Sequence, residues 1–123
     1  VREVSALLID LRKFKEVNDR WGHLTGDRVL QQCAKLICAA VRAGDLVVRY
    51  GGDEFLVVLA NTSRKEAEQV ADRIQRLVAE WNARRGEDEP RLILDIGVDT
   101  APQSEFEQLL DRADERMYAS KHA

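Results

Sequence analysis

Residues 46–59, LVVRYGGDEFLVVL, restrict the fold more than any other stretch of this chain. Two β-rich runs, residues 46–50 and 55–59, are separated only by Gly51, Gly52, Asp53 and Glu54. So short a connection turns the chain back on itself, and the stretch reads as an antiparallel hairpin. The adjacent acids admit two explanations. Turn residues are exposed, and charge there serves solubility. Alternatively a cation sits at the turn, and the glycines let a phosphate or nucleobase approach the backbone closely.

The remaining periodicities surround this hairpin with alternating elements. Residues 4–9, VSALLI, form a near-continuous apolar run that suits a central strand covered on both faces, ending at Asp10. Phe14, Val17 and Trp21 recur at helical spacing before Gly22, giving a short amphipathic helix. Thr25-Gly26-Asp27 opens a second helix with an inner face of Val29, Leu30, Cys33, Ala34, Ile37, Ala40 and Val41, and Gly44 is its expected stop. After the hairpin, Ser63 and Glu66 form a capping box ahead of a long helix carrying Ala67, Val70, Ala71, Ile74, Leu77, Val78 and Trp81 inward. A polar loop, ARRGEDEP, precedes a strand in RLILDIGV. Ser104 and Glu107 cap a last helix bearing Phe106, Leu109, Leu110, Ala113 and Met117. The order is βααββαβα, an α+β fold with helices packed on a mainly antiparallel central sheet.

Composition excludes several classes. A chain of 123 residues is one domain, and it buries roughly two thirds of the surface its unfolded form would expose. The net charge of −3 gives no case for nonspecific binding to nucleic acid or membrane, and no apolar run is long enough to span a bilayer. Cys33 and Cys38 point to separated faces of one helix, and both read as small core residues in a reducing, cytoplasmic compartment. His23 and His122 are too isolated for a zinc site. The chain opens on Val1 almost directly before a strand, so residues 1–123 read as one domain of a longer protein whose upstream part can hold a membrane anchor.

If the first strand pairs beside the hairpin, Asp10, Asp53 and Glu54 converge at one edge of the sheet. Clustered carboxylates raise one another's pKa unless a cation compensates. Such hard oxygen ligands suit Mg²⁺ or Mn²⁺, which commonly share their shell with substrate phosphates. Lys15 and Lys121 are flexible point charges suited to those phosphates.

GGDEF at residues 51–55, with LLIDLRKFKEVNDRWGHLTGD upstream and DRADERMYASK at the end, resembles the GGDEF domain family, the diguanylate cyclases. The resemblance covers nearly the whole chain. It implies a nucleotidyl-cyclase-like fold with a ferredoxin-like core. It also implies condensation of two GTP molecules into cyclic di-GMP, a bacterial second messenger, with release of two pyrophosphates at the interface of a homodimer. By position it implies Asp10, Asp53 and the Leu11 carbonyl as metal ligands, with Glu54 as metal partner or proton acceptor. Asn18 and Asp27 match the guanine-reading pair, and His23 the position near the nucleotide. Gly51, Gly52 and Arg49 border the site, and Lys15 and Lys121 match phosphate-contacting lysines. Taken alone, these lysines and Arg49 read as solvated charges, Asn18 and Asp27 as helix-end residues, and His23 as a loop residue.

RAGD, residues 42–45, stands five residues before the GGDEF turn and matches the family's RxxD inhibitory site, which binds the product away from the active site. It implies Arg42 and Asp45 as product ligands and Arg73 as a secondary contact. Residue types agree, because Arg grips phosphate and guanine bidentately. The same four residues also suit a charged turn at a helix end. Three differences from the family's pattern stand out: Arg12 replaces the second acid of the usual D-x-D, Asp95 replaces the usual serine, and the family's usual stretch before the opening strand, which helps close the domain, is not in residues 1–123. Rival readings are a catalytically silent regulatory domain that senses GTP or holds cyclic di-GMP at Arg42 and Asp45 beside a phosphodiesterase domain, and a nucleotidyl cyclase on the same scaffold that uses ATP or mixed substrates.

Overall fold

The computed structural model describes residues 2–105 together with Gln108, Asp111, Arg112 and Glu115. In chain order its elements are β1 (Glu3–Leu11), α1 (Phe14–Trp21), α2 (His23–Ala40), β2 (Leu46–Arg49), β3 (Glu54–Leu59), α3 (Arg64–Ala83) and β4 (Leu94–Pro102). Among the described residues the strands form one antiparallel sheet in the order β2-β3-β1-β4, and the fold is α+β as expected. The final helix, including Glu107, Phe106, Leu109, Leu110, Ala113, Met117 and also Lys121, lies outside the described residues, although Gln108, Asp111, Arg112 and Glu115 are helical. Ser104 falls in a 3₁₀ turn, Gln103–Glu105.

β1 is central because both its faces are apolar. Leu7, Ile9 and Leu11 pack with Phe55, Val57 and Leu59 against Val29, Cys33 and Ile37 of α2 and Ile74 and Val78 of α3. The alternate residues Val4 and Ala6 join Leu56, Val58 and Ala101 on the opposite face. Ser5, fully buried, is satisfied by the Thr62 carbonyl at 2.8 Å and the Thr100 hydroxyl at 2.7 Å.

Several boundaries differ from the sequence reading, each for a local reason. β1 runs on through Asp10 and Leu11 because partners flank it on both sides there. α2 begins at His23, directly after Gly22, so Thr25–Asp27 is inside its first turns. Gly22 has φ 88°, the left-handed backbone that lets α1 end and α2 start without a loop. α2 stops at Ala40, with Val41 already extended, well before Gly44. β4 starts at Leu94, because the Leu92 amide and carbonyl are both taken by the Asn82 side chain of α3, each at 2.8 Å. It continues to Pro102 because β1 pairs with it along its whole length. Cys33 is buried, but Cys38 is exposed and not a core residue. The Ser63–Glu66 capping box forms as read, with both reciprocal bonds present.

Candidate active site

The hairpin does not display its acids equally. Tyr50 N–H donates to the Glu54 carbonyl at 2.7 Å, and Arg49 pairs across with Phe55, so the loop proper is Tyr50 to Asp53. Glu54 is therefore a strand residue, and it is only 4% exposed. An exposed turn acid placed for solubility does not describe it. The loop is held from two sides: Leu11 N–H donates to the Asp53 carbonyl at 2.9 Å, and Arg49 Nη2 donates to the Gly52 carbonyl at 2.8 Å. Gly51 has φ 85°, which a side chain would strain.

Pairing of β1 with β3 sets Asp10 opposite Glu54, and the tether to Leu11 brings Asp53 alongside. Carboxylate oxygens of Asp10, Asp53 and Glu54 come within 4.8 Å of one another. Burial pushes the Asp10 carboxyl above its ordinary value, and the charges of Asp53 and Asp95 push the same way, against a smaller opposing pull from Arg12. A proton or a cation relieves that strain. Three oxygen donors at this separation fit a hard divalent ion such as Mg²⁺ or Mn²⁺.

The nucleotide-site candidates divide between two neighbouring helices and the hairpin. Asp27 and Arg49 line one cleft of about 430 Å³ between α2 and the hairpin, together with Leu30, Gln31, Ala34 and Phe55. Leu30 and Ala34 belong to the core-facing side of α2 and line this cleft as well. Their spacing from Asp27 already placed all of them on one helical stripe, which was the available signal. Asn18 of α1 lies against α2 at Gly26, where a Cβ would sit 1.8 Å from Asn18 Oδ1. Lys15 and His23 are exposed and do not line the cleft, and Lys121 is outside the described residues.

At the other end of the hairpin, Arg42 and Asp45 close their turn on each other. Arg42 N–H donates to Asp45 Oδ2 at 3.0 Å, and Ala60 N–H donates to Asp45 Oδ1 at 3.2 Å. Arg42 Nη2 donates to the Ala60 carbonyl and to Thr62 Oγ1, both at 3.0 Å. Arg73 reaches over from α3 to donate to the Ala40 carbonyl at 3.0 Å. Arg42, Asp45 and Arg73 line one cavity of about 130 Å³ with Thr62, Glu66 and Gln69. Arg12 and Asp95, which the resemblance alone marks as departures, form an ion pair: Arg12 Nε lies 2.6 Å from Asp95 Oδ2.

Comparison with known proteins follows the same lines. The family model described as "Diguanylate cyclase, GGDEF domain" matches residues 1–123. Diguanylate cyclase DosC of Escherichia coli K12 is 40% identical over 123 residues, a match covering 96% of this chain and 26% of DosC. The chain thus spans about a quarter of the length of the curated relatives it matches. The active GGEEF domain of a diguanylate cyclase from Vibrio cholerae superposes with a TM-score of 0.80 at 31% identity, over 98% of this chain and 78% of that one. The GGDEF domain of DgcB from Caulobacter crescentus, solved in complex with c-di-GMP, gives a TM-score of 0.73 at 28% identity, over 98% and 73% of the two chains.

Proposed function

The chain belongs to the GGDEF domain family, and on that footing we propose that it is a diguanylate cyclase domain that condenses two GTP molecules into cyclic di-GMP and two pyrophosphates. The observation that carries the reading is the carboxylate trio of Asp10, Asp53 and Glu54, with oxygens within 4.8 Å at the start of the hairpin strand. Asp10, Asp53 and the Leu11 carbonyl would hold Mg²⁺ or Mn²⁺, with Glu54 as a further ligand or proton acceptor. Bound there, such an ion supplies charge stabilisation for the attacking 3′-oxygen and the departing pyrophosphate.

The chain's own residues do the rest. Asp27 accepts from the guanine N1–H and N2–H₂ edge, and the Asn18 amide completes the reading, so another base leaves these two groups unpaired in the complex. Gly51 and Gly52 keep the loop free of side chains where the triphosphate approaches, and Arg49, Lys15 and Lys121 balance its charge. His23 stands beside the nucleotide. One domain holds one GTP, and the 3′-hydroxyl of one must reach the α-phosphate of the other. Two copies facing each other supply that proximity, so the active form is a homodimer, transient or enforced.

Arg42 and Asp45, with Arg73, form the product site through which cyclic di-GMP inhibits. Their position around one cavity supports this, and binding would exchange the bonds of Arg42 to Ala60 and Thr62 for bonds to the ligand. Among the described residues no helix is long and apolar enough to cross a membrane, and a cytoplasmic domain controlled by a sensor domain elsewhere in a longer protein is the setting we propose.

The test is incubation of the domain, fused to a dimer-forming coiled coil, with GTP and Mg²⁺, with products separated by chromatography. Cyclic di-GMP is expected from the parent fusion and none from Asp53→Ala. A folded, verified dimer that makes no product would overturn the cyclase reading and leave cyclic di-GMP binding at Arg42 and Asp45 as the function to titrate.

A further inference from the structure

Asp10 stands opposite Glu54 on one side and opposite Asp95 on the other, so a single rung of the sheet carries three carboxylates across β3, β1 and β4. Directly opposed residues in antiparallel strands share a face with Cβ atoms about 4.5–5.5 Å apart, and like charges there repel. The two ends of the rung are answered differently. At the β3 end Asp53 adds another carboxylate and completes an oxygen cluster. At the β4 end a cation closes the row: Arg12, two residues beyond Asp10, holds Asp95 at 2.6 Å.

We propose that Arg12 and Asp95 act as one unit that seals the β4 end of the carboxylate rung, confining a divalent cation to Asp10, Asp53 and Glu54 and setting how tightly it is held. This rests on the reading of those three acids as the cation site. Without Arg12, Asp95 is a further unbalanced carboxylate beside Asp10. Without Asp95, Arg12 is an unbalanced cation facing the site. The side chains of Arg12 and Asp95 are 64% and 55% exposed, so the pair contributes little to folding and its consequence is local charge. Arg12 is thus a positioning residue, acting on the ion only through charge and through where it holds Asp95.

The experiment titrates Mn²⁺ into the chain without nucleotide and reads free Mn²⁺ by electron paramagnetic resonance, with circular dichroism to verify folding. Arg12→Ala is expected to tighten Mn²⁺ binding by about threefold or more, the effect of removing a unit charge several ångströms from a divalent ion. Asp95→Ala is expected to weaken it by a similar factor. The double variant, and Arg12→Lys, should stay near the parent. Dissociation constants unchanged across all four variants, with the parent binding and Asp53→Ala not binding, would reduce the pair to an ordinary surface ion pair and overturn the proposal. A parent that does not bind Mn²⁺, or an Asp53→Ala variant that binds as tightly, would overturn the cation-site reading and the proposal with it.

Discussion

Gly26 shows how much a single residue can decide. Glycine inside a helix costs about 1 kcal/mol relative to alanine, and Gly26 lies in the first turns of α2 with ordinary helical backbone, so propensity alone favours replacing it. The reason it is tolerated is on the neighbouring helix. The space a Cβ would fill is taken by the Asn18 amide, with Oδ1 at 1.8 Å, and the Phe14 ring edge at 3.3 Å. Gly26→Ala should therefore leave the domain folded but push the amide out of place. On the proposed role of Asn18, KM for GTP in the dimeric fusion should rise roughly tenfold, the worth of about one hydrogen bond, with kcat at saturation little changed. Steady-state kinetics beside a melting curve checks this. An unchanged KM with a raised melting temperature would remove Asn18 from guanine reading. The same scale explains why Asp10 needs company: its carboxyl is pushed up by burial and by Asp53 and Asp95, so a proton competes with any cation as the pH falls.

At the scale of elements, the β2–β3 hairpin carries a candidate site at each end, the carboxylates at the start of β3 and the Arg42–Asp45 turn beside its finish. The turn is a structural feature as well as a proposed ligand site, and two substitutions separate these roles. The Asp45 side chain is 4% exposed and accepts from two backbone amides, whereas the Arg42 side chain is 63% exposed. Asp45→Ala should cost about 1–3 kcal/mol, seen as a melting point lower by several degrees, while Arg42→Ala should cost well under that. Both should relieve inhibition by cyclic di-GMP in turnover assays. Inhibition unaltered in Arg42→Ala would remove that residue from product binding. Sequence made the hairpin, the apolar centre of β1 and the cap at Ser63 legible, because turn length, continuous hydrophobicity and the Ser-x-x-Glu spacing are local signals. It left the limits of β4 and α2 illegible, because the Asn82 amide that captures Leu92 and the kink at Gly22 are set by elements elsewhere in the chain or by backbone angle. Asp10, Asp53 and Glu54 were recognisable as a set, yet the burial of Glu54 and the pairing of Arg12 with Asp95 depend on strand register, which no single segment encodes.

For the molecule as a whole, the proposed chemistry needs two copies, and this predicts how the rate depends on concentration. β3 spans six residues, on the order of 20 Å, with the carboxylates at one end and the Arg42–Asp45 turn at the other, so a partner can face the first while the second stays open to solvent. A net charge of −3 opposes pairing only weakly once salt screens it beyond about 8 Å. Below its dimer dissociation constant, the isolated chain should then show activity per molecule that rises in proportion to concentration, because each turnover requires an encounter. Fusion to a coiled coil replaces that encounter with an effective concentration on the order of millimolar, and activity per molecule should become independent of dilution. Initial rates measured across about 0.1 to 10 µM protein for both forms distinguish the regimes. Should the isolated chain show the same dilution-independent rate as the fusion, with light scattering reporting a monomer throughout, catalysis would be completed within one domain and the two-copy mechanism would fail.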